Sequence, residues 1–247
     1  MSHHVVEARG LGYVYPDGTP ALADVSFRIT HGEAVAVVGA NGAGKSTLLL
    51  QLAGCLLPSS GEVRIGEVPV TAQTVARIRR SAGLVFQDPD DQLFMPTVAE
   101  DVAFGPLNAG LPPEEVERRV AGALERVGMS RIKDRPPYKL SAGEKRAAAL
   151  ATVLAMEPDV LVMDEPSSHL DPRGRRRLIE WLVSFAHTRI MATHDLELAL
   201  EVCSRVIVME GGAVVADGPI RDVLNDEKGM LAHGLERPHS LRHAHPH

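Results

Sequence analysis

The chain has 247 residues, 45% of them hydrophobic and 23% charged, with a formal net charge of −6. That length supports one well-buried domain with appended lobes, and the acidic balance excludes the basic footprint of a nucleic-acid binder. Two cysteines, Cys55 and Cys203, without C-x-x-C spacing, suit a reducing compartment and exclude a disulfide framework.

The first residues, "MSHHVVEARGLG", lack the apolar core of a signal peptide, and no apolar run reaches the roughly 20 residues of a membrane span. Any work at a membrane therefore passes through a partner. "VVEARGLGYVY", "ADVSFRI" and "AVAVVG" read as strands, rich in Val, Ile and aromatics and broken by "PDGTP" and "THGE". The run Val35–Val38 enters a Gly-rich turn, and "KSTLLLQLAG" follows as a helix ended by Gly54. "GEVRIGEVPV" is a second hairpin. From about 88 to 155 the pattern turns helical, with Val116, Val120, Leu124 and Val127 marking one face of "PPEEVERRVAGALERVG". Buried-type strands return at "DVLVMDE" and "RIMATHD", separated by the helix "RGRRRLIEWLVSFA", and "RVIVMEGGAVVADG" closes as a hairpin. This order predicts an α/β core with an antiparallel β lobe and an inserted helical lobe, spanning residues 1–227. Residues 228–247, ending in "HGLERPHSLRHAHPH", show no periodicity and are expected to form a mobile, His-rich tail.

Gly39, Ala40, Asn41, Gly42, Ala43, Gly44, Lys45 and Ser46 satisfy G-x-x-x-x-G-K-[ST] between a buried strand and a helix. Glycines there let backbone N–H groups curl around phosphates, and the helix start adds partial positive charge. Lys45 is expected to reach the β- and γ-phosphates, Ser46 to hold Mg²⁺, and Thr47 to lie near the α-phosphate. No N-K-x-D run reads guanine, so ATP is the expected nucleotide. "VLVMDEP" brings Asp164 and Glu165 to a strand end, Asp164 for Mg²⁺ and Glu165 to orient and polarise the attacking water. His194 in "MATHD" could donate to the γ-phosphate, and Gln87 in "LVFQDP" could touch Mg²⁺ and the water. Polar groups at several strand ends fit ligand binding beyond the carboxyl edge of a parallel sheet.

The series "GANGAGKST", "VFQ", "LSAGE", "VLVMDE", "SHLD" and "ATHD" resembles the ATPase subunit of an ATP-binding cassette transporter, over nearly the whole chain to about residue 225. The resemblance implies a P-loop NTPase core and a head-to-tail pair, homodimeric or with a homologous ATPase. In such a pair Ser141, Ala142, Gly143 and Glu144 would cap the γ-phosphate held by the partner's Lys45. Independently, Ser141 followed by Glu144 fits a capping box. The resemblance also gives Tyr15 an adenine-stacking role, with Tyr13 as competitor, and gives Asp171 communication across the dimer. Ala142 and Glu144 depart from the usual glycine and glutamine, and His169 stands where a small residue is usual.

"LVFQDPDDQLFMPTVAEDVAFGPLN" and "LSAGEKRAAALATVLAMEPDVLVMDEPSSHLDPRGRR" resemble the energy-coupling-factor class, most closely its cobalt/nickel branch. That implies a peripheral ATPase on the cytoplasmic face, docked on a membrane scaffold and a substrate-binding membrane subunit. Asp88, Asp90 and Asp91 would meet scaffold arginines, with Leu93 and Phe94 as an apolar foot. Other importers, of vitamins or other small molecules, and non-transport cassette ATPases are the alternatives. Arg173, Arg175, Arg176 and Arg177 read as a solvent-facing helix side. His233, His239, His243, His245 and His247 lack the supporting groups of a built metal site.

Overall fold

The structure, a computed structural model, describes residues 6–242. Strands β1 (Val6–Val14) and β2 (Pro20–Ile29) form a hairpin, and β3 (Ala34–Val38) leads into helix α1 (Lys45–Leu52). Next come β4 (Ser60–Ile65), β5 (Val68–Pro69), helix α2 (Val75–Ser81) and β6 (Ala82–Val85). The helical lobe holds α3 (Val98–Asn108), α4 (Pro113–Arg126) and α5 (Ala142–Leu154). The chain then alternates: β7 (Val160–Asp164), α6 (Pro172–Ser184), β8 (Thr188–Ala192), α7 (Leu196–Val202), β9 (Arg205–Glu210) and β10 (Ala213–Pro219). Three short helices follow, α8 (Ile220–Asn225), α9 (Glu227–Ala232) and α10 (His239–Arg242).

Two sheets result. The antiparallel one runs β2-β1-β4-β5, and the larger runs β10-β9-β3-β8-β7-β6, parallel except for the β9–β10 pair. Its central strands are apolar on both faces because both faces are covered. Val35, Val37, Val160, Val162 and Ile190 pack towards the β lobe and α1. Their neighbours Ala36, Val38, Leu161, Met163 and Met191 pack towards the helices of the other side. The period-two alternation of a strand thus divides one sheet between two cores. With β3, β7 and β8 adjacent and parallel, the segments after Val38, Asp164 and Ala192 emerge at one sheet edge.

The structure corrects three expectations. Residues 228–242 are not a featureless tail: Met230 is buried, His233 Nδ1 lies 2.8 Å from Glu210 Oε2, and the Ser240 N–H donates to Glu197 at 3.1 Å. Apolar residues too sparse to set a period are enough to seat short helices on the body. His243, His245 and His247 lie outside the described residues. Leu93 is no exposed foot, being buried in the core of the helical lobe, whereas Phe94 is 62% exposed and stacks edge-on against Phe104. Arg175 leaves the solvent-facing row to pair with Asp195 and Glu201 at 3.1 and 3.0 Å.

Candidate nucleotide site

The loop from Gly39 to Gly44 can form only with glycine at its ends. Gly39 has φ 155°, and a Cβ there would fall 2.2 Å from the Met209 carbonyl oxygen; at Gly44 (φ 98°) it would fall 2.6 Å from that of Ala21. The loop is thereby pressed onto β9 and β2 while its N–H groups open beyond the sheet. Lys45 Nζ arches back to donate to the carbonyls of Gly39 and Ala40 at 2.8 and 3.0 Å. Its ammonium therefore sits over the loop concavity. Tyr15 Oη and Thr47 Oγ1 share a hydrogen bond of 2.9 Å, which ties the aromatic to the helix start. Tyr13 meets Tyr15 edge-on and packs against the β-lobe core.

Beside the loop lies a cleft of about 470 Å³ whose wall includes Ser46, Gln87, Asp88, Asp91, Asp164 and His169. The Ser46 side chain and Asp164 both line this cleft. Burial pushes the Asp164 carboxyl above the usual carboxylate range and the Glu165 charge adds to this, while Ser46, Lys45 and Arg146 pull the other way. A hydroxyl, a carboxylate and an amide oxygen are the hard donors Mg²⁺ takes while keeping several of its waters, so the residues present fit that ion.

Glu165 is 8% exposed and left-handed, with φ 45°. Its N–H donates to the Ala192 carbonyl at 2.9 Å. Two donors converge on Oε2, Thr193 Oγ1 and the His194 N–H, both at 3.3 Å, and His194 Nδ1 lies 2.8 Å from the same oxygen. His194 lies two residues beyond the end of β8, its side chain 74% exposed. With Nδ1 on Glu165, Nε2 is the nitrogen left for a phosphate oxygen.

The segment Ser141 to Glu144 does not line this cleft. Ser141 N-caps α5 in a complete capping box: the Glu144 N–H donates to Ser141 Oγ at 3.3 Å, and the Ser141 N–H to Glu144 Oε2 at 2.8 Å. That backbone hydrogen bond holds the Glu144 carboxyl below its ordinary pKa. Ala142 borders a second cavity with Asp88, Asp90, Lys145, Arg146 and His169. Asp171 N-caps α6, accepting from the Gly174 N–H at 2.7 Å. Asp90 is held by Lys145 at 2.6 Å, and Asp88 Oδ1 accepts from the Asp90 N–H, so neither carboxylate is idle.

Sequence reasoning missed Arg146, whose Nη1 and Nη2 donate to the carbonyls of Phe86 and Gln87, both at 2.7 Å. Its signal was the last charge of "GEKR", set at the head of the Ala-rich run "AAALA". It also missed Thr193 and Asp101, whose Oδ1 accepts from the N–H groups of Phe94 and Met95 at 3.0 Å.

A phosphate loop, a buried strand-end acid pair and an inserted helical lobe together define a cassette ATPase. The ABC transporter family model matches residues 22–168, and the chain belongs to that family. It is an ATP-hydrolysing subunit of the energy-coupling-factor class. A Geobacter sulfurreducens chain, provisionally named an ABC transporter ATP-binding protein, is 59% identical over 98% of this chain and 97% of its own. The energy-coupling factor transporter ATP-binding protein EcfA of Methanothermobacter thermautotrophicus is 46% identical, over 95% of this chain and 77% of its own. Among solved structures, cbiO1 of Clostridium perfringens, part of the ABC transporter complex cbiONQ, superposes with a TM-score of 0.81 at 39% identity, covering 93% of this chain and 94% of its own.

Proposed function

We propose that this ATPase powers import of a transition-metal ion, nickel or cobalt, as the peripheral subunit beneath a membrane scaffold and a substrate-binding subunit. The observation that carries the ATPase chemistry is the convergence of Ser46, Gln87 and Asp164 on one cleft, with Glu165 braced beside it. Tyr15, tied to Thr47, stacks on adenine. Gly39 to Ser46 wrap the phosphates, and Lys45 exchanges its loop carbonyls for phosphate oxygens. Ser46, Asp164 and Gln87 would hold Mg²⁺, which would supply positive charge against that developing on the phosphates. Glu165 orients the attacking water and takes its proton, its carboxylate braced by Thr193 Oγ1 and the His194 backbone N–H, while the His194 ring donates to the γ-phosphate through Nε2. Most of the acceleration in such a site is positioning and electrostatics.

The phosphate site of one chain is completed by Ser141 to Glu144 of a second copy or a homologous ATPase. Two features support that reading: a helix start such as that of α5 favours an anion, and Ser141 to Glu144 do not line their own chain's cleft. A dimeric ATP-binding cassette in a post-hydrolysis state, bound to ADP and Pi, superposes with a TM-score of 0.78 at 27% identity, covering 87% of this chain and 98% of its own. Asp171 carries the state of one site to the other. The scaffold meets the exposed apolar pair Phe94 and Phe104, whose rings stack edge-on. No helix among the described residues is long and apolar enough to cross a membrane, so docking on partners supplies the membrane step.

The test is uptake by the complex reconstituted with its co-purifying membrane subunits. Labelled nickel or cobalt should enter vesicles only with Mg-ATP and intact Glu165; uptake of a vitamin instead would reassign the cargo.

A further inference from the structure

The segment Phe86–Gln92 is fastened to α5 at three successive levels. Arg146 is only 4% exposed, and its two terminal nitrogens grip consecutive carbonyls, Phe86 and Gln87, each at 2.7 Å. Lys145 holds Asp90 at 2.6 Å. From the segment's far end, Gln92 Nε2 donates to the Ala149 carbonyl at 2.8 Å and to Thr152 Oγ1 at 2.6 Å. Of the three ties, only that of Arg146 acts on Gln87 itself. A planar guanidinium can hold two carbonyls in fixed relation; an ammonium holds one point. Keeping Arg146 buried is costly, since Nε has no hydrogen-bond partner among the described residues, and the negative field of Asp88, Asp164 and Glu165 offsets only part of its desolvation.

We propose that Arg146 is a positioning residue that locks the main chain of Gln87 to the helix begun by Ser141. The amide facing one chain's metal–phosphate cleft and the hydroxyl offered to the opposing chain's triphosphate then move as one body. This inference rests on the roles given above to Gln87 and Ser141. It explains why a cation is buried five residues into a helix that is otherwise Ala-rich. A tilt of α5 as the opposing chain's nucleotide binds or leaves is passed directly to Gln87.

The test is a double-mutant cycle on the full chain, with Arg146→Lys and Arg146→Met each made with and without Gln87→Ala. With Gln87 present, Arg146→Lys should lower kcat about tenfold and Arg146→Met further, and the Mg²⁺ concentration for half-maximal turnover should rise. Binding of a fluorescent ATP analogue to the monomer should change by less than about twofold, because the phosphate loop is untouched. With Gln87→Ala, neither change should cost more than about another twofold. Equal losses in both backgrounds with ATP binding intact would sink the clasp alone, whereas an unmodified chain that binds no ATP would remove the functional reading beneath it. Should Arg146→Met fail to fold, amide exchange of residues 86–90 decides through Arg146→Lys: faster exchange supports the clasp, and unchanged exchange overturns it.

Discussion

Arg175 Nε lies 3.1 Å from Asp195 Oδ2, joining the helix capped by Asp171 to the turn that carries His194. Asp195 also caps α7 through the Leu198 N–H at 2.8 Å. Replacing Arg175 with Met should therefore loosen His194 without touching the phosphate loop. We expect kcat to fall roughly three- to tenfold with ATP affinity unchanged, the signature of lost positioning. Steady-state kinetics beside equilibrium ATP binding would show it; a change in affinity alone would count against the link.

The same pair has a pH signature. Burial opposes ionisation of Asp195, yet Arg175 and the Leu198 N–H outweigh it and leave its pKa below the usual value. A depressed folded pKa gives stability that is complete above the unfolded value, about 3.9, and is lost as pH falls through the folded one. Denaturant titrations should find a shallower acid loss in Arg175→Met than in the unmodified chain. Parallel acid profiles would contradict this.

Glu165→Gln keeps the size and one hydrogen-bonding oxygen of the side chain but removes the base. ATP binding should persist, and turnover should drop at least about a hundredfold. A rate near that of the unmodified chain would mean that another group accepts the proton.

Ser141→Arg places a bulky cation at the start of α5 and breaks the capping box. The monomer should still bind ATP, while the ATP-driven dimer trapped in a Glu165→Gln background should disappear. Light scattering of the eluting species measures this directly, and an undiminished dimer would rule out the opposed arrangement.

Asp101 is 3% exposed and holds the Phe94 turn through two N–H groups, while Oδ2 has no hydrogen-bond partner. Burial raises its pKa. A raised carboxyl pKa gives a contribution present at low pH and lost as pH climbs through the folded value. Asp101→Asn should thus gain on the unmodified chain as pH rises from about 4, and Asp101→Ala, which loses both N–H contacts, should stay about 2 kcal/mol below Asp101→Asn at every pH. Urea midpoints at a series of pH values would reveal a gap moving the opposite way.

The core strands were readable because they are short apolar runs bounded by turn residues, as in Val35–Val38 and "VLVM". The chemistry-bearing residues were readable because phosphate binding demands glycines and a lysine at fixed spacing. Helix α2 escaped notice because "VARIRRS" carries a single buried residue, Ile78, too little to set a period. Leu93 and Phe94 are adjacent apolar residues, and only the fold decides which faces inward. The ties of Arg146, Arg175 and Asp101 join positions distant in the chain or depend on loop geometry, and a charged side chain gives no sign of whether it will be buried.

The left-handed backbone of Glu165 means that the residue proposed to take the water's proton is, with Asp24, Glu157 and His169, one of four described non-glycine residues held at positive φ. A non-glycine residue in that region gives up about 1–2 kcal/mol that glycine would not. Under selection for heat resistance alone, glycine would be favoured there, and on the proposed assignment a hardier but inert molecule would result. Keeping the carboxylate marks this corner as one where activity has outweighed endurance.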